Sequence, residues 1–266
     1  MQCLFETFAA PGVYTSAPAV FEMYAAGREN GVILGCGAQC TYAVCVHEGL
    51  PDPRTQFRSD LAGEALTAHA ASVLQKCGAG GAVDAATACR AKEALAAVAP
   101  LNSAGEAQPD AAAAGPVQFE LPDGKKLTVS AAARAELAEP LFQPSMLGEH
   151  SGGLARLVSE AIRVRDRDGA LESNEHGKDG TDNWYRSIVL AGGTTMIPGL
   201  QARLVGELGR HAPDGCTPEV CAPPERMHAA WLGGSILASL AVVGQMWITK
   251  EEYDENGPLI VHRKCF

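Results

Sequence analysis

The stretch that decides the fold is Ser187-Ile188-Val189-Leu190-Ala191-Gly192-Gly193-Thr194-Thr195-Met196-Ile197-Pro198-Gly199. Its first five residues are typical of a buried β-strand, which runs directly into a pair of glycines. Pro198 then opens a predicted helix, whose apolar residues recur at helical spacing: Leu200, Leu204, Val205 and Leu208. In α/β folds, phosphates or nucleosides bind where a strand ends in glycines before a helix, because exposed N–H groups and close backbone approach are available there. The stretch therefore predicts an α/β protein.

A second strand-to-glycine transition lies upstream of this stretch. Two β-rich runs, 32–34 and 41–46, are joined by Gly35-Cys36-Gly37-Ala38-Gln39, which predicts a hairpin with a glycine-bearing loop. Pro18 supplies the fixed φ of a first helical turn and predicts a helix to about Ala26. Residues 231–235 precede a predicted helix near the C-terminus, and residues 249–252 form a capping box for a further short helix.

The middle of the chain has a different composition. Residues 77–115 are mostly alanine, glycine and small polar residues; segment 82–98 predicts a helix, and segment 110–115 predicts a loose low-complexity loop. A second polar stretch, residues 165–182, is rich in acidic residues, glycine and asparagine and predicts a solvated surface insert.

The composition excludes several classes of protein. The 266 residues, 47% of them apolar, are enough for one large or two ordinary domains and exclude wholesale disorder. The formal net charge is −10, and no block of Lys and Arg could neutralise a row of phosphates, so we expect no direct binding to nucleic acid. The longest apolar stretch, 236–248, is too short and too mixed to span a bilayer, and we expect no membrane association.

The nine cysteines are an odd number and are scattered without C-x-x-C pairs. This pattern favours free thiols in a reducing cytosol or nucleus over a disulfide framework. The closest group, Cys36, Cys40 and Cys45, has two interpretations, as metal ligands or as small half-buried apolar residues on a strand pair. We favour the second and predict no metal site.

Several long segments resemble actin, in the same order along the chain. They are residues 190–199, 222–226 and 231–266, supported by the shorter stretches 5–8, 60–63, 120–124 and 141–145. The resemblance covers almost the whole chain apart from the Ala/Gly-rich region and the acidic stretch. It implies an actin-like α/β fold of the ribonuclease H-like, Hsp70-type ATPase class. It also implies a cytoplasmic protein of the cytoskeleton, with the nucleus as an alternative.

The resemblance further implies a domain organisation. Met1 falls about a third of the way into an actin, so the first lobe is expected to be incomplete and the second retained. Residues 1–25 and 228–266 would be a remnant of subdomain 1, residues 26–59 and 162–227 would resemble subdomain 3, and residues 60–161 would resemble subdomain 4. The first phosphate-binding loop and the whole of subdomain 2 are expected to be absent.

Actins hold ATP between two glycine hairpins, with acidic residues that organise Mg²⁺ and a glutamine near the attacking water. At the family's two aspartate positions this chain has Gly35 and Ala38, and its histidine position has become Tyr42. The glycine that follows the second of these aspartates in the family has become Gln39, and Pro18 stands in place of the glutamine. A divalent cation that bridges phosphates needs hard oxygen ligands, so we expect neither Mg²⁺ binding nor ATP hydrolysis, and we predict no catalytic residue.

The adenosine side of the family's site is better retained in the sequence. By resemblance, Lys92 and Glu93 match the adenosine-contacting pair, and Met227 replaces a lysine near the adenine. The remaining predicted nucleotide-binding residues are Gly37, Gly63, Gly192, Gly193, Thr194 and Met196. ATP or ADP would bind weakly without phosphate contacts. Alternatively, Lys92 and Glu93 lie on a solvated helix face, and the glycine pair serves only packing.

In actins, partner proteins insert apolar helices into a groove between the first and third subdomains. The matching positions are apolar or aromatic, as helix-in-groove recognition requires: Tyr24, Ile236, Leu237, Leu240, Val242 and Met246. An alternative is that Ile236, Leu237 and Leu240 pack inward as core, which makes Tyr24 and Met246 the better groove candidates.

Three functions follow from these observations. The first is an actin-like cytoskeletal or complex-associated protein that contacts other actin-like subunits or actin-binding proteins and does not hydrolyse ATP. The second is an ATP-binding, filament-forming actin whose N-terminal third is missing from the gene model. The third is a non-functional gene fragment. Truncation alone does not explain Gly35, Ala38 and Pro18, which lie inside the matched region, and this favours the first.

Overall fold

The computed structural model describes residues 1–111, 115–172 and 183–265, and within these it leaves out the side chains of residues 168–172 and 242. The described strands are β1 (Gly12–Val13), β2 (Gly31–Cys36), β3 (Thr41–His47), β4 (Leu50–Pro51), β5 (Phe57–Ser59), β6 (Val117–Glu120), β7 (Lys126–Val129), β8 (Ile188–Ala191), β9 (Val220–Cys221) and β10 (Ile248–Thr249).

The α-helices, numbered along the described chain, are α1 (Pro18–Ala25), α2 (Gly63–Lys76), α3 (Ala85–Leu95), α4 (Ala131–Glu136), α5 (Leu154–Glu172), α6 (Leu200–Leu208), α7 (Ala229–Ser239), α8 (Lys250–Asn256) and α9 (Val261–Lys264). Local sequence explains several of their starts. Pro18 stands in the first turn of α1, and the side chains of Asp84 and Ser130 accept N-cap hydrogen bonds at the starts of α3 and α4.

A mixed sheet forms the centre of the molecule, with strand order β4-β3-β2-β8-β9 and with β5 paired to β3. Strands β2 and β3 form the predicted antiparallel hairpin, in which Gly35 lies opposite Tyr42. Strand β8 pairs parallel to β2, with Gly35 beside Ala191, and β9 pairs parallel to β8. This register brings the end of β8 and its glycine pair next to the tip of the hairpin.

The central sheet is buried on both faces, because successive side chains of a strand point to opposite sides. On one face, Val32 and Leu34 pack with α2, α5 and α6 in the largest apolar core. On the other face, Ile33 packs with Met23 of α1 and with Ala229 at the start of α7. The near-continuous apolar sequence of β2 and β8 follows from this two-sided burial.

A separate core lies within the segment 60–161. Leu74 of α2, Leu95 of α3 and Leu127 of β7 belong to it, together with Phe119 of β6. The many alanines of α3, including Ala88 and Ala91, are fully buried there. The Ala-rich composition therefore allows α2 and α3 to pack closely rather than leaving a loose insert.

The two ends of the chain pack against each other. Strands β1 and β10 form a short antiparallel ribbon, and Phe5 stacks on Tyr253 with 4.6 Å between ring centroids. The predicted capping box is present at the start of α8, since Thr249 and Glu252 each accept the other's backbone N–H. Among the residues that the structure describes, no helix has the length and apolarity that a bilayer crossing requires.

The structure corrects three sequence-based boundaries. Residues 231–235 lie inside α7, which begins at Ala229, rather than before the helix. Helix α6 begins at Leu200 after Gly199, whose φ of +86° interrupts the segment that Pro198 was expected to open. Helix α5 continues to Glu172, so the first part of the acidic stretch is helical rather than a loop, whereas residues 173–182 lie outside the described residues. The predicted loop at 110–115 also falls partly outside them, at residues 112–114.

Candidate ligand cleft

A cavity of about 600 Å³ opens where the hairpin tip, the first turn of α2, helix α3 and the segment after β8 meet. This volume lies within the range of small-molecule sites. Its lining consists of Gly37, Ala38, Gly63, Glu64, Thr67, Cys89, Lys92, Glu93, Gly193, Thr194, Met196, Ile197, Pro198 and Met227. The cavity therefore lies at the end of the strands that the sequence pattern indicated.

Hydrogen bonds at the hairpin tip fix one wall of the cavity. The backbone N–H groups of Gly63 and Glu64 donate to the carbonyl oxygens of Gly37 and Ala38, at 3.0 and 2.7 Å. The Thr194 hydroxyl donates to the same Gly37 carbonyl at 2.7 Å. Two separate segments of the chain thus converge on two residues of the turn and hold this wall in place.

Lys92 crosses from α3 to the first turn of α2. Its Nζ donates to the carbonyl oxygen of Gly63 at 3.0 Å and to the hydroxyl of Thr67 at 2.9 Å. Lys92 is therefore not part of a solvated helix face. The carboxylate of Glu93, one residue further on, accepts a hydrogen bond from the Cys89 thiol at 3.4 Å.

The structure brings together all but one of the eight predicted nucleotide-binding residues. Gly37, Gly63, Lys92, Glu93, Gly193, Thr194 and Met196 line the cavity. Gly192 does not. Its φ is +89°, and a Cβ there would lie 2.3 Å from the carbonyl oxygen of Cys36, so this glycine serves the close packing of the β8 end against β2.

The sequence analysis missed several cavity residues, namely Glu64, Thr67, Cys89, Ile197 and Pro198. A helical signal could have found two of them. Thr67 follows Gly63 by four residues in α2, and Cys89 precedes Lys92 by three residues in α3, so both spacings place them on the same helix face as a predicted residue.

Beside the cavity lies the region that organises metal and phosphate in the family, and its side chains differ from those of the family. The ring of Tyr42 lies against Gly35, where an added Cβ would be 2.4 Å from the ring carbon Cζ. The Tyr42 hydroxyl donates to Oε2 of Glu22 on α1 at 2.5 Å. Pro18 begins α1 and brings neither an N–H group nor an amide side chain. These residues do not fit a divalent cation that bridges phosphates, because Gly35 and Ala38 offer no carboxylate.

Burial shifts the acid–base properties of this pair. Desolvation raises the pKa of the Glu22 carboxyl, although its hydrogen bond from Tyr42 acts in the opposite direction. Desolvation, followed by the nearby Glu22 carboxylate, raises the pKa of the Tyr42 phenol well above its ordinary value. The phenol therefore stays protonated and remains a hydrogen-bond donor to Glu22.

The cysteine group near the hairpin has the properties of packed apolar residues. Cys36 and Cys45 are fully buried on β2 and β3, and desolvation raises the pKa of their thiols to about 11 and about 12. Cys36 exchanges a hydrogen bond with the hydroxyl of Thr41. In the described part of the chain, no three His, Cys, Asp or Glu side chains are grouped as metal ligands would be.

The predicted partner groove is only partly a surface. Leu237 is 5% exposed and packs against Val20 of α1, so its assignment to the groove is wrong. Ile236 and Leu240 are exposed, at 43% and 44%. Tyr24 and Met246 are half-buried at the edge of the same core, and the side chain of Val242 lies outside the described residues.

The fold and the cleft define an α/β protein whose ligand cavity lies where strands of a central sheet end in glycines and helices begin. A family model described as Actin matches residues 1–85 and 80–266 of this chain. The chain therefore belongs to the actin family. The actin-like α/β fold that the sequence resemblance implied is confirmed by the same match.

Proposed function

We propose that this chain is an actin-like protein of the cytoskeleton, or of a complex that contains actin-like subunits, and that it acts through protein contacts without hydrolysing ATP. Other actin-like subunits and actin-binding proteins are its expected partners. Membership of the actin family supports the class of partner. The observation that carries the proposal is the content of the β2–β3 hairpin, where Gly35, Ala38 and Tyr42 replace the groups that hold metal and position water.

Loss of these groups has a large expected effect on hydrolysis. Phosphoryl transfer depends almost entirely on positioning and on electrostatic stabilisation of the phosphates and the attacking water. Removal of one stabilising donor commonly costs about 10²–10³ in rate. Here the positions of two carboxylates, a histidine and a glutamine have changed together, to Gly35, Ala38, Tyr42 and Pro18.

An exposed apolar surface supports the contact function. Trp231 of α7 is 73% exposed, and Ile236 and Leu240 lie exposed at the other end of the same helix. Ile236 and Leu240 are four residues apart and lie on one side of the helix end, and neighbouring exposed apolar side chains mark protein interaction sites more often than scattered ones do. We call this surface, formed by Ile236 and Leu240, the α7 face.

Phosphate release tests the first half of the proposal. The purified chain should release no more phosphate from Mg-ATP than buffer does, under conditions in which actin turns over measurably. Turnover that Lys92→Met or Thr194→Ala abolishes would contradict the proposal, because both residues line the cavity.

Binding to purified actin tests the second half. The native chain should bind monomeric or filamentous actin, and the double substitution Ile236→Ser/Leu240→Ser should weaken the binding at least about tenfold, roughly the 1.4 kcal/mol of a single buried contact. Met146→Ser is the matched control, since Met146 is 42% exposed and lies in the segment 60–161, which has a separate core. Equal effects of the two substitutions would remove the α7 face from the proposal, and absence of binding to either form of actin would contradict the named partner.

The cavity supports a second candidate, an ATP-binding, filament-forming actin. Its 600 Å³ and the placement of Lys92 and Glu93 are compatible with weak binding of ATP or ADP through the nucleoside. Sedimentation of the chain alone, with and without Mg-ATP, separates the two candidates. Nucleotide-dependent polymers would favour the second candidate.

A further inference from the structure

Position 35 and position 42 are complementary in shape. They lie opposite each other in the β2–β3 hairpin, and a Cβ at position 35 would be 2.4 Å from Cζ and 2.7 Å from the hydroxyl oxygen of Tyr42. Real Cβ atoms do not approach other heavy atoms so closely, so the ring can occupy this space only because Gly35 has no side chain. The space that a metal-organising aspartate would use is filled by the phenol.

Glu22 holds the ring in this place from the opposite side. It lies on α1 and is 7% exposed, and its Oε2 accepts the Tyr42 hydroxyl at 2.5 Å. A hydrogen bond between a phenol and a carboxylate is short and stronger than one between neutral groups. The bond connects α1 to the hairpin, which are the two elements between which a metal–phosphate group would lie in the family.

The charges that line the neighbouring cavity also disfavour phosphate. Lys92 is the one ammonium group among the described lining residues, and Gly63 and Thr67 already accept two of its hydrogen bonds. Glu64 and Glu93 bring two carboxylates to the same lining. Met196, Ile197, Pro198 and Met227 provide an apolar surface that suits a planar ring.

We propose that Tyr42 and Glu22 form a permanent substitute for the metal–phosphate group, so that the adjoining cavity accepts an uncharged nucleoside and rejects its phosphorylated forms. This inference rests on the proposed function, because it describes what the same cleft binds once metal and hydrolysis are lost. Tyr42 acts by occupying space, and Glu22 acts by accepting the hydrogen bond of the Tyr42 hydroxyl.

Equilibrium dialysis of the native chain against adenosine, AMP and ATP tests the inference. Adenosine should bind at least about tenfold more tightly than AMP or ATP, a difference of roughly 1.4 kcal/mol. Mg²⁺ and EDTA should leave the affinity for ATP unchanged. The inference is overturned if ATP or AMP binds as tightly as adenosine, if Mg²⁺ strengthens ATP binding, or if adenosine does not bind at millimolar concentration.

Two substitutions of Tyr42 test whether its ring or its hydroxyl sets the preference for adenosine over ATP. Tyr42→Phe keeps the ring and removes the hydroxyl, so the preference for adenosine should persist. Tyr42→Ser removes the ring, and the ratio of adenosine to ATP affinity should fall at least about fivefold. Equal ratios in the two variants would refute the role of the ring. If the serine variant does not fold by circular dichroism, Tyr42→Leu replaces it, and a ratio equal to that of Tyr42→Phe would refute the role of the ring.

The outcomes distinguish this inference from the proposed function. A chain that releases no phosphate but binds Mg-ATP more tightly than adenosine overturns the inference alone. A chain that hydrolyses ATP overturns the proposed function, whatever its affinity for adenosine.

Discussion

The substitution Gly35→Ala would place a methyl carbon 2.4 Å from Cζ and 2.6 Å from Cε1 of Tyr42. The ring cannot move away freely, since its hydroxyl is bound to the buried Glu22. Overpacking of this kind costs about 1–3 kcal/mol, and the lower chain entropy of alanine in the unfolded state offsets roughly 0.5–1 kcal/mol. We therefore expect Gly35→Ala to lower the free energy of unfolding by a net amount of up to about 2.5 kcal/mol.

The same hairpin provides a matched control. At Gly37 the nearest atom to an added Cβ is the carbonyl oxygen of Cys40 at 3.8 Å, an ordinary contact distance, and its φ is not positive. Gly37→Ala should change the free energy of unfolding by no more than about 0.5 kcal/mol, in the stabilising direction if at all. Urea unfolding followed by tryptophan fluorescence measures both variants.

A double-mutant cycle then connects the cost to the tyrosine ring. In a Tyr42→Ala background the space beside position 35 is open, so adding Gly35→Ala should cost nothing, and the coupling energy between the two positions should reach at least about 1 kcal/mol. Equal effects of Gly35→Ala and Gly37→Ala, with no coupling to position 42, would refute the placement of the ring and with it the substitute for the metal–phosphate group.

Three further predictions concern other charged and capping groups. Arg203 is 2% exposed and paired with Glu139 at 2.9 Å and with Glu207 at 2.8 Å, so Arg203→Met should lower the free energy of unfolding by about 3–5 kcal/mol. Adding Glu139→Leu should recover part of the loss, and no recovery would contradict a buried ion pair between Arg203 and Glu139. Burial raises the pKa of Glu22 above 4.5, so its contribution to stability is fully present below that pH and is lost as pH rises through the folded-state pKa. The free energy of unfolding of the native chain minus that of Glu22→Gln should therefore decrease as the pH rises above 4.5, and a constant difference would be the contrary result. Thr249→Ala removes one bond of the capping box and should cost about 1 kcal/mol, with faster amide exchange confined to α8.

Local sequence patterns predicted much of the fold. The glycine pair after Ile188–Ala191 predicted both the strand and the site, and the runs on either side of Gly35 predicted the hairpin with its correct partners. The capping box at Thr249 was also correct, because it depends on side chains three residues apart. Patterns of this kind are determined within one or two turns of chain, where sequence spacing and spatial distance agree.

Features that depend on tertiary packing could not be predicted from local sequence patterns. Helix α7 is apolar on all sides, so its periodicity does not tell that Leu237 packs inward while Ile236 and Leu240 remain exposed. Likewise, a glycine pair gives no sign that Gly192 packs against Cys36 while Gly193 lines the cavity. Such distinctions depend on which distant segment approaches each residue.

The hydrogen bond between Tyr42 and Glu22 also depends on tertiary packing and could not be predicted from the sequence. The sequence analysis treated the loss of aspartate at Gly35 and of histidine at Tyr42 as separate losses. In the structure they are one exchange, because the glycine makes room for the ring, and Glu22, twenty residues away, binds its hydroxyl. Only the register of the hairpin brings the three residues together.

The exposure of Trp231 gives the protein a built-in optical reporter. Its indole is 73% exposed on α7, five residues before Ile236, whereas Trp184 and Trp247 are partly buried elsewhere. Water around an indole shifts its emission to longer wavelength and leaves it open to collisional quenchers such as acrylamide. A partner that covers α7 as far as Trp231 would therefore appear as a blue shift and reduced quenching of one fluorophore, so that such an assembly can be followed in unlabelled protein, with Trp231→Phe as its blank.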